Sequence, residues 1–237
     1  MSEVTHVMDA WLRGWMTARA IPLWGVADLR AFDTPHDETG QPFPTAISWA
    51  WRIDPGIMRD IASGPTKAYA DEYARANDWL DRTGQDLSEE IRHRGFRARP
   101  LDSSTRTYKA DYRGEFPHKT AATRAGLGWI GRNCQLVTRE FGPWVRLGSV
   151  FTDAPLKPST PVDESLCGDC RRCVDACPAG ALKGELWTPG LPREELLDPE
   201  VCDAWKSSHY GALREGGVCG ICASACPSGI ASCESSS

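Results

Sequence analysis

Four thiols and a chain-turning proline stand close together in Cys167-x2-Cys170-x2-Cys173-x3-Cys177-Pro178. Two-residue gaps let consecutive thiolates converge on adjacent irons of one small cube. In runs of this spacing three thiolates bind one cubane and the fourth ligates a second cluster. Structural zinc is the alternative, because C-x2-C pairs bind it too; four cysteines this close, with proline following, favour iron and sulfur. The pattern returns as Cys219-x2-Cys222-x3-Cys226-Pro227, and its flanks return with it, CRRCVDACPAGAL against CGICASACPSGIA. This internal duplication lacks the leading cysteine: Gly216 stands there, and Cys202 is the remaining candidate upstream. The expected metal ligands are Cys167, Cys170, Cys173 and Cys226 for one 4Fe-4S cluster. Cys177, Cys202, Cys219 and Cys222 are expected to hold the other, close enough for electron hopping.

Two cysteines remain. Cys233 reads as a bystander or a substitute ligand, and Cys134 as a buried small hydrophobe. A disulfide framework is not the reading, since such frameworks belong to small exported domains. The first ten residues, with Glu3, His6 and Asp9, have no basic region followed by an apolar one, and no apolar run nears the length of a membrane span. The expected location is cytoplasmic, with no membrane partner. The 237 residues, 41% hydrophobic and 25% charged with a mean hydropathy of -0.40, describe an ordinary globular chain of one large or two modest domains. Net charge is -5, yet residues 92–146 carry twelve Lys or Arg against four acids. Such a basic segment marks either an anionic ligand or a surface whose arginines pair with acids elsewhere.

The elements that must position these residues follow from periodicity. Residues 4–18 place Val4, Val7, Met8, Trp11, Leu12 and Trp15 at helical spacing, and residues 67–94 do the same with Tyr69, Tyr73, Ala76, Leu80, Leu87 and Ile91 before Gly95. Apolar runs at 23–29, 46–53, 96–101, 135–138 and 144–151 predict strands. Strands alternating with helices of this length predict a layered α/β domain. The proline-rich stretch TDAPLKPSTPVDE predicts a linker, dividing the chain into residues 1–155 and 156–237. Within the first part, RAGLGWIGRN offers Gly126, Gly128, Trp129, Gly131, Arg132 and Asn133 as a cofactor-binding segment. Its glycines let backbone approach a ligand or another segment and present N–H groups to an anion. A tight structural turn explains the glycines equally, and no strand precedes them as in the dinucleotide fingerprint.

HKTAATRAGLGWIGRN, RLGSVFTDAPL, CGDCRRCVDACPAGAL and CGICASACP, in this order, resemble the epoxyqueuosine reductase family over residues 118–227. Upstream, ADL at Asp28 and SGPTKAYADEYARANDWLD resemble a shorter branch of iron-sulfur proteins grouped with it. The resemblance implies an α+β chain: a nitroreductase-like, cobalamin-binding domain shared with reductive dehalogenases, then a bacterial two-cluster ferredoxin-like domain. It implies electron flow from an external ferredoxin- or flavodoxin-type donor through two 4Fe-4S clusters to cobalamin, with a protein acid supplying a proton. The substrate would be small or nucleoside-like, with tRNA as the family's larger option. Competing readings are an electron-transfer protein with no organic cofactor and a flavin-containing reductase. One segment departs from the family. Its catalytic aspartate precedes the glycine matching Gly126 by fourteen residues, where Tyr112 stands, with Asp111 one residue away. The implied catalytic candidates are Asp111, Tyr112 and His118, with Lys119 or Arg113 able to favour a tyrosinate. His118 is also a candidate cobalt ligand, or simply the first residue of a helix through 121–125.

Overall fold

A computed structural model describes residues 2–104, 112–214 and 217–234 of the chain, with side chains to 231. Contacts divide the chain into two units whose segments interleave: Met1–Trp51, Asn77–Leu127 and Arg146–Val162 form one, and Arg52–Ala76, Gly128–Val145 and Asp163–Ser237 the other.

In the first unit, α1 (Glu3–Ala18) begins where the Ser2 side chain accepts from Thr5 N, satisfying an otherwise orphaned helix donor, and it buries Met8, Leu12, Trp15 and Met16. Strands β1 (Trp24–Asp28), β2 (Thr45–Arg52), β3 (Ala98–Leu101) and β6 (Val145–Thr152) make a four-stranded sheet in the order β1-β2-β6-β3. β1 pairs antiparallel with β2, Trp24 opposite Trp49, and β3 pairs antiparallel with β6, Ala98 opposite Thr152. The 27-residue α3 (Lys67–His93) gives its first ten residues to the second unit and the rest to the first. There Leu80, Leu87 and Ile91 join α1 and the sheet residues Val26, Ile47, Trp49 and Val150 in one core. Burial at this scale, about 25 cal/mol per Å² of apolar surface, is what holds the layers together. The short α4 (His118–Arg124) buries Ala121, Ala122 and Thr123 and lies against β1.

In the second unit, α2 (Pro55–Asp60) is capped by Asp54, whose carboxylate accepts from Gly56 N and Ile57 N. β4 (Gly128–Ile130) and β5 (Leu136–Thr138) form an antiparallel hairpin. The rest is short helices joined by turns: α5 (Arg172–Asp175), α6 (Pro199–Tyr210), α7 (Ile221–Ser224) and α8 (Pro227–Glu234). With so little regular structure this unit is held by specific long-range contacts. The buried Trp144 indole N–H donates to Ala223 O at 2.8 Å, and α7 packs on both α2 and α5.

The expected helices and strands fall within two residues of their observed ends. The expected linear boundary at residue 155 differs from the observed grouping, because residues 52–76 and 128–145 pack with the cysteine-rich segment. Among the described residues no helix is long and apolar enough to cross a membrane.

Candidate functional site

The two cysteine copies fold as the same turn. Val174 N bonds Arg171 O as Ala223 N bonds Gly220 O; Ala176 N bonds Arg172 O as Ala225 N bonds Ile221 O; Cys177 N bonds Val174 O as Cys226 N bonds Ala223 O. One helical turn, α5 or α7, therefore carries the middle cysteine, and the proline after the last one turns the chain away. Cys202 sits in the first turn of α6, whose start is fixed by Asp198 accepting from Glu200 N and Val201 N.

None of the nine described cysteines is disulfide-bonded. Burial pushes the Cys173 thiol up to about 11, reinforced by Cys226, Cys167 and Cys170. Burial also pushes Cys202 up to about 11, reinforced by Cys177 and Cys219. Cys222 is raised by burial, then by Cys219, Cys202 and Cys177, and last by Cys173 of the other group. Beyond burial, each of these thiols is thus raised by other cysteines: Cys173 by Cys226, Cys167 and Cys170, Cys202 by Cys177 and Cys219, and Cys222 by Cys219, Cys202, Cys177 and Cys173. Half-buried thiols crowded by like neighbours ionise only when cations compensate them. Among the described residues no three His, Cys, Asp or Glu groups converge closely enough to hold a single ion. Thiolates are the donors a 4Fe-4S cubane takes, one at each of four separate corners, so cysteines that influence one another without converging on one ion suit it in donor type.

The glycine segment lies at the β4–β5 hairpin. A Cβ on Gly126, which has φ 77°, would lie 2.6 Å from Thr160 O, and one on Gly128 would lie 2.1 Å from Val137 O. These two glycines admit the chain's own backbone. A Cβ on Gly131 would lie 2.7 Å from a Val137 methyl and 3.5 Å from Cys167 Sγ, so this glycine borders a quartet. Arg132 donates to Gly168 O at 2.6 Å and to Gly184 O, tying the hairpin to the first cysteine loop. Asn133 is buried and its Oδ1 accepts from Gln135 N at 3.1 Å. Cys134 is buried at φ 58°. The Trp129 indole N–H is buried with no acceptor among the described residues. Gln135 Nε2 lies 3.9 Å from Cys222 Sγ; no motif flags it, and its place beside the glycine segment is the one available signal. The Cys233 side chain lies outside the described residues.

A polar centre occupies the first unit. His118 Nε2 meets Asp102 O at 3.0 Å and Nδ1 meets Ser149 Oγ at 2.9 Å. A carbonyl only accepts, so Nε2 carries the proton and Nδ1 accepts from the Ser149 hydroxyl. Burial pushes the His118 pKa down to about 4, with Arg146 adding to it against the opposing Asp102 carbonyl, Asp81 and Asp102 charges. The ring is neutral at physiological pH, with both nitrogens committed. Arg146 is itself held by Asn77 Oδ1 at 2.9 Å and Ser103 O at 3.1 Å. Tyr112 takes φ 54°, a left-handed conformation that costs an aromatic residue energy and tends to persist at functional sites. Lys119 follows His118 in α4 and is half-buried; Asp111 lies outside the described residues.

Much of the basic segment serves internal contacts. Arg97 binds Asp153 at 2.7 Å and Asp37 at 2.5 Å and holds the Asp37 carboxyl well below its usual range. Arg99 binds Glu115 at 2.7 Å, Arg94 binds Glu90 at 2.6 Å, and Arg124 donates to Val162 O at 2.7 Å.

Residues 166–229 match the model of a 4Fe-4S double cluster binding domain. Over 102 residues the chain is 39% identical to the epoxyqueuosine reductase of Listeria monocytogenes, covering 43% of this chain and 24% of that protein. Over this segment the chain is similar to epoxyqueuosine reductases. A longer match to the Synechocystis epoxyqueuosine reductase is 29% identical over 211 residues, 82% of this chain and 58% of that one. Thus the chain spans well under two thirds of the length of the first curated reductases it matches. The fold agrees with a solved epoxyqueuosine reductase bound to an epoxyqueuosine-modified tRNA-Tyr stem loop, at TM-score 0.64, 20% identity, and 95% and 66% coverage of the two chains. It agrees as well with the reductive dehalogenase NpRdhA bound to 3-bromo-4-hydroxybenzoic acid, at TM-score 0.65, 21% identity, and 88% and 30% coverage. At these identities the solved structures establish the chain's fold, a mixed α+β architecture.

Proposed function

We propose that this chain is a two-cluster iron-sulfur reductase of the cobalamin-linked kind, acting in the cytoplasm on a small or nucleoside-like substrate. The observation that carries the reading is the match of residues 166–229 to a 4Fe-4S double cluster binding domain, with eight cysteines in or beside its two spaced copies. Cys167, Cys170, Cys173 and Cys226 hold one 4Fe-4S cluster, and Cys177, Cys202, Cys219 and Cys222 the other. The clusters supply one-electron carriers fed by a ferredoxin- or flavodoxin-type donor. In the division expected from sequence, residues 1–155 would hold the organic cofactor and substrate and residues 156–237 the clusters, with residues 52–76 and 128–145 grouped with the latter.

A solved reductive dehalogenase is described as B12-dependent. The unsatisfied Trp129 N–H suits a macrocycle fringed with amide acceptors, and Gly131, Arg132 and Asn133 would border it. Gly126 and Gly128 would serve it by fixing the hairpin. When bound, a corrinoid supplies a strongly reducing cobalt at which a carbon–heteroatom bond is cleaved. The chain's own work is then to deliver a proton. Tyr112, strained and followed by Arg113, is the donor we favour, with Asp111 as the second candidate and Lys119 as the further basic residue of the segment. His118, neutral and doubly bonded, positions the segment at Asp102 rather than donating.

The test is the absorption spectrum and metal content of protein purified without oxygen, before and after adding cobalamin and, separately, flavin. About eight irons per chain with a retained corrinoid is the expected result. Eight irons with neither cofactor retained would favour the electron-transfer reading, and retained flavin the flavin reductase. If tRNA is the substrate, its affinity should fall steeply with salt; a flat isotherm removes it.

A further inference from the structure

The β4–β5 hairpin brings a donor to a cluster sulfur that no cysteine spacing reveals. We propose that Gln135 is a positioning residue that tunes the cluster of Cys177, Cys202, Cys219 and Cys222 by hydrogen-bonding Cys222 Sγ. The inference rests on the reading that this quartet holds a 4Fe-4S cluster.

Two observations carry it. Gln135 Nε2 lies 3.9 Å from Cys222 Sγ, within reach of a large, polarisable sulfur acceptor. The amide is delivered from a fixed backbone: Gln135 N donates to Asn133 Oδ1 at 3.1 Å, and Gln135 O accepts from Gly131 N at 2.9 Å, just before β5 begins. Reduction adds negative charge to a cluster and its thiolates, and a donor aimed at a thiolate stabilises that charge, so the bond raises the reduction potential.

The other quartet supplies an internal comparison. Cys226 receives bonds from Ser228 N, Gly229 N and the Ser228 side chain, all within three residues of the ligand. The matching position in the first copy is Ala179, which has no donor side chain. Each cluster therefore meets a side-chain donor at a second-copy cysteine, one local and one brought from the hairpin.

The experiment is a potentiometric EPR titration of the whole, anaerobically purified protein with its iron counted. Gln135→Leu should keep full iron and lower one midpoint by roughly 30 mV or more, a threefold change in that cluster's one-electron equilibrium. Ser228→Ala should lower the other midpoint alone, which assigns the two signals. If Gln135→Leu loses iron, Gln135→Asn, which withdraws the donor by one methylene, should show the same selective fall with iron retained. Unchanged midpoints with full iron, or equal shifts of both clusters, overturn the proposal. Wild-type protein holding fewer irons than two cubanes require overturns instead the underlying cluster reading, before any substitution is made.

Discussion

Arg172 and Ile221 occupy the same position of the two cysteine copies, each just before the middle cysteine, and their surroundings are opposite. In the first copy Arg171, Arg172, Asp175, Pro178 and Gly180 are exposed. In the second, Ile221, Ala223 and Ser224 are buried, and Gly220 packs so closely that a Cβ would lie 2.7 Å from Ile61 Cδ1 and 2.8 Å from the Tyr69 hydroxyl. The glycines after the prolines diverge likewise: a Cβ on Gly180 would meet open space, one on Gly229 the Trp144 indole at 2.4 Å. Ligand spacing is a local property, copied whole when a segment duplicates. Packing depends on partners far away in sequence, so one copy kept a solvated face while the other became the core of its unit.

The largest test of this contrast exploits the exchange of ligands. Cys177→Ser should abolish the cluster that takes Cys219 and Cys222 from the second copy, and Cys226→Ser the one built mostly from the first, each leaving roughly half the iron. Cys134→Ser should leave iron unchanged. Iron analysis with EPR decides; a substitution that spares the opposite copy's signal breaks the crossing.

Next in size is the matched pair. Ile221→Ala should cost about 3 kcal/mol through lost burial and a cavity, whereas Arg172→Ala should stay within about 0.5 kcal/mol. Anaerobic denaturant unfolding measures both, and equal costs would mean that the copies are equally packed.

Acid sensitivity should come partly from outside either copy. His118 is held at a pKa of about 4, against about 6.5 when unfolded, so the unfolded chain binds the proton first. Stability from this group is complete above about pH 6.5 and is lost as pH falls toward 4, by at most about 3 kcal/mol. His118→Gln should remove that slope in thermal unfolding followed from pH 7.5 to 4.5; an unchanged slope would place the sensitivity elsewhere.

The smallest contrast is between glycines. Gly229→Ala should cost about 2 kcal/mol by forcing Trp144 off its bond to Ala223 O, and Gly180→Ala about 1 kcal/mol from its φ of 62° alone.

Sequence pattern reached the fold unevenly, for reasons visible in single residues. The stripe of α1 placed Met8, Leu12 and Trp15 in the core, but Val4 and Val7, which share the spacing, are 52% and 61% exposed because the helix start reaches beyond its partners. Spacing predicts cysteine quartets at all because ligand geometry is short-range. The hairpin strand β4 is masked in sequence by its glycines, whose role as a close backbone contact depends on Val137 O lying where a Gly128 side chain would be. The roles of His118 and Gln135 depend on Ser149, Asp102 and Cys222, none of which is near in sequence, and the same holds for Trp144, whose bond to Ala223 draws residues 128–145 in with the cysteine-rich segment.

The exchange of Cys177 and Cys226 between quartets also orders events during synthesis. A ribosome that has made residues 1–210 has released five of the eight ligands, Cys167, Cys170, Cys173, Cys177 and Cys202, yet not one complete site. With the proposed exchange the site of Cys177 is completed only by Cys222 and that of Cys167 only by Cys226, so a product stalled before Cys222 would hold neither full ligand set.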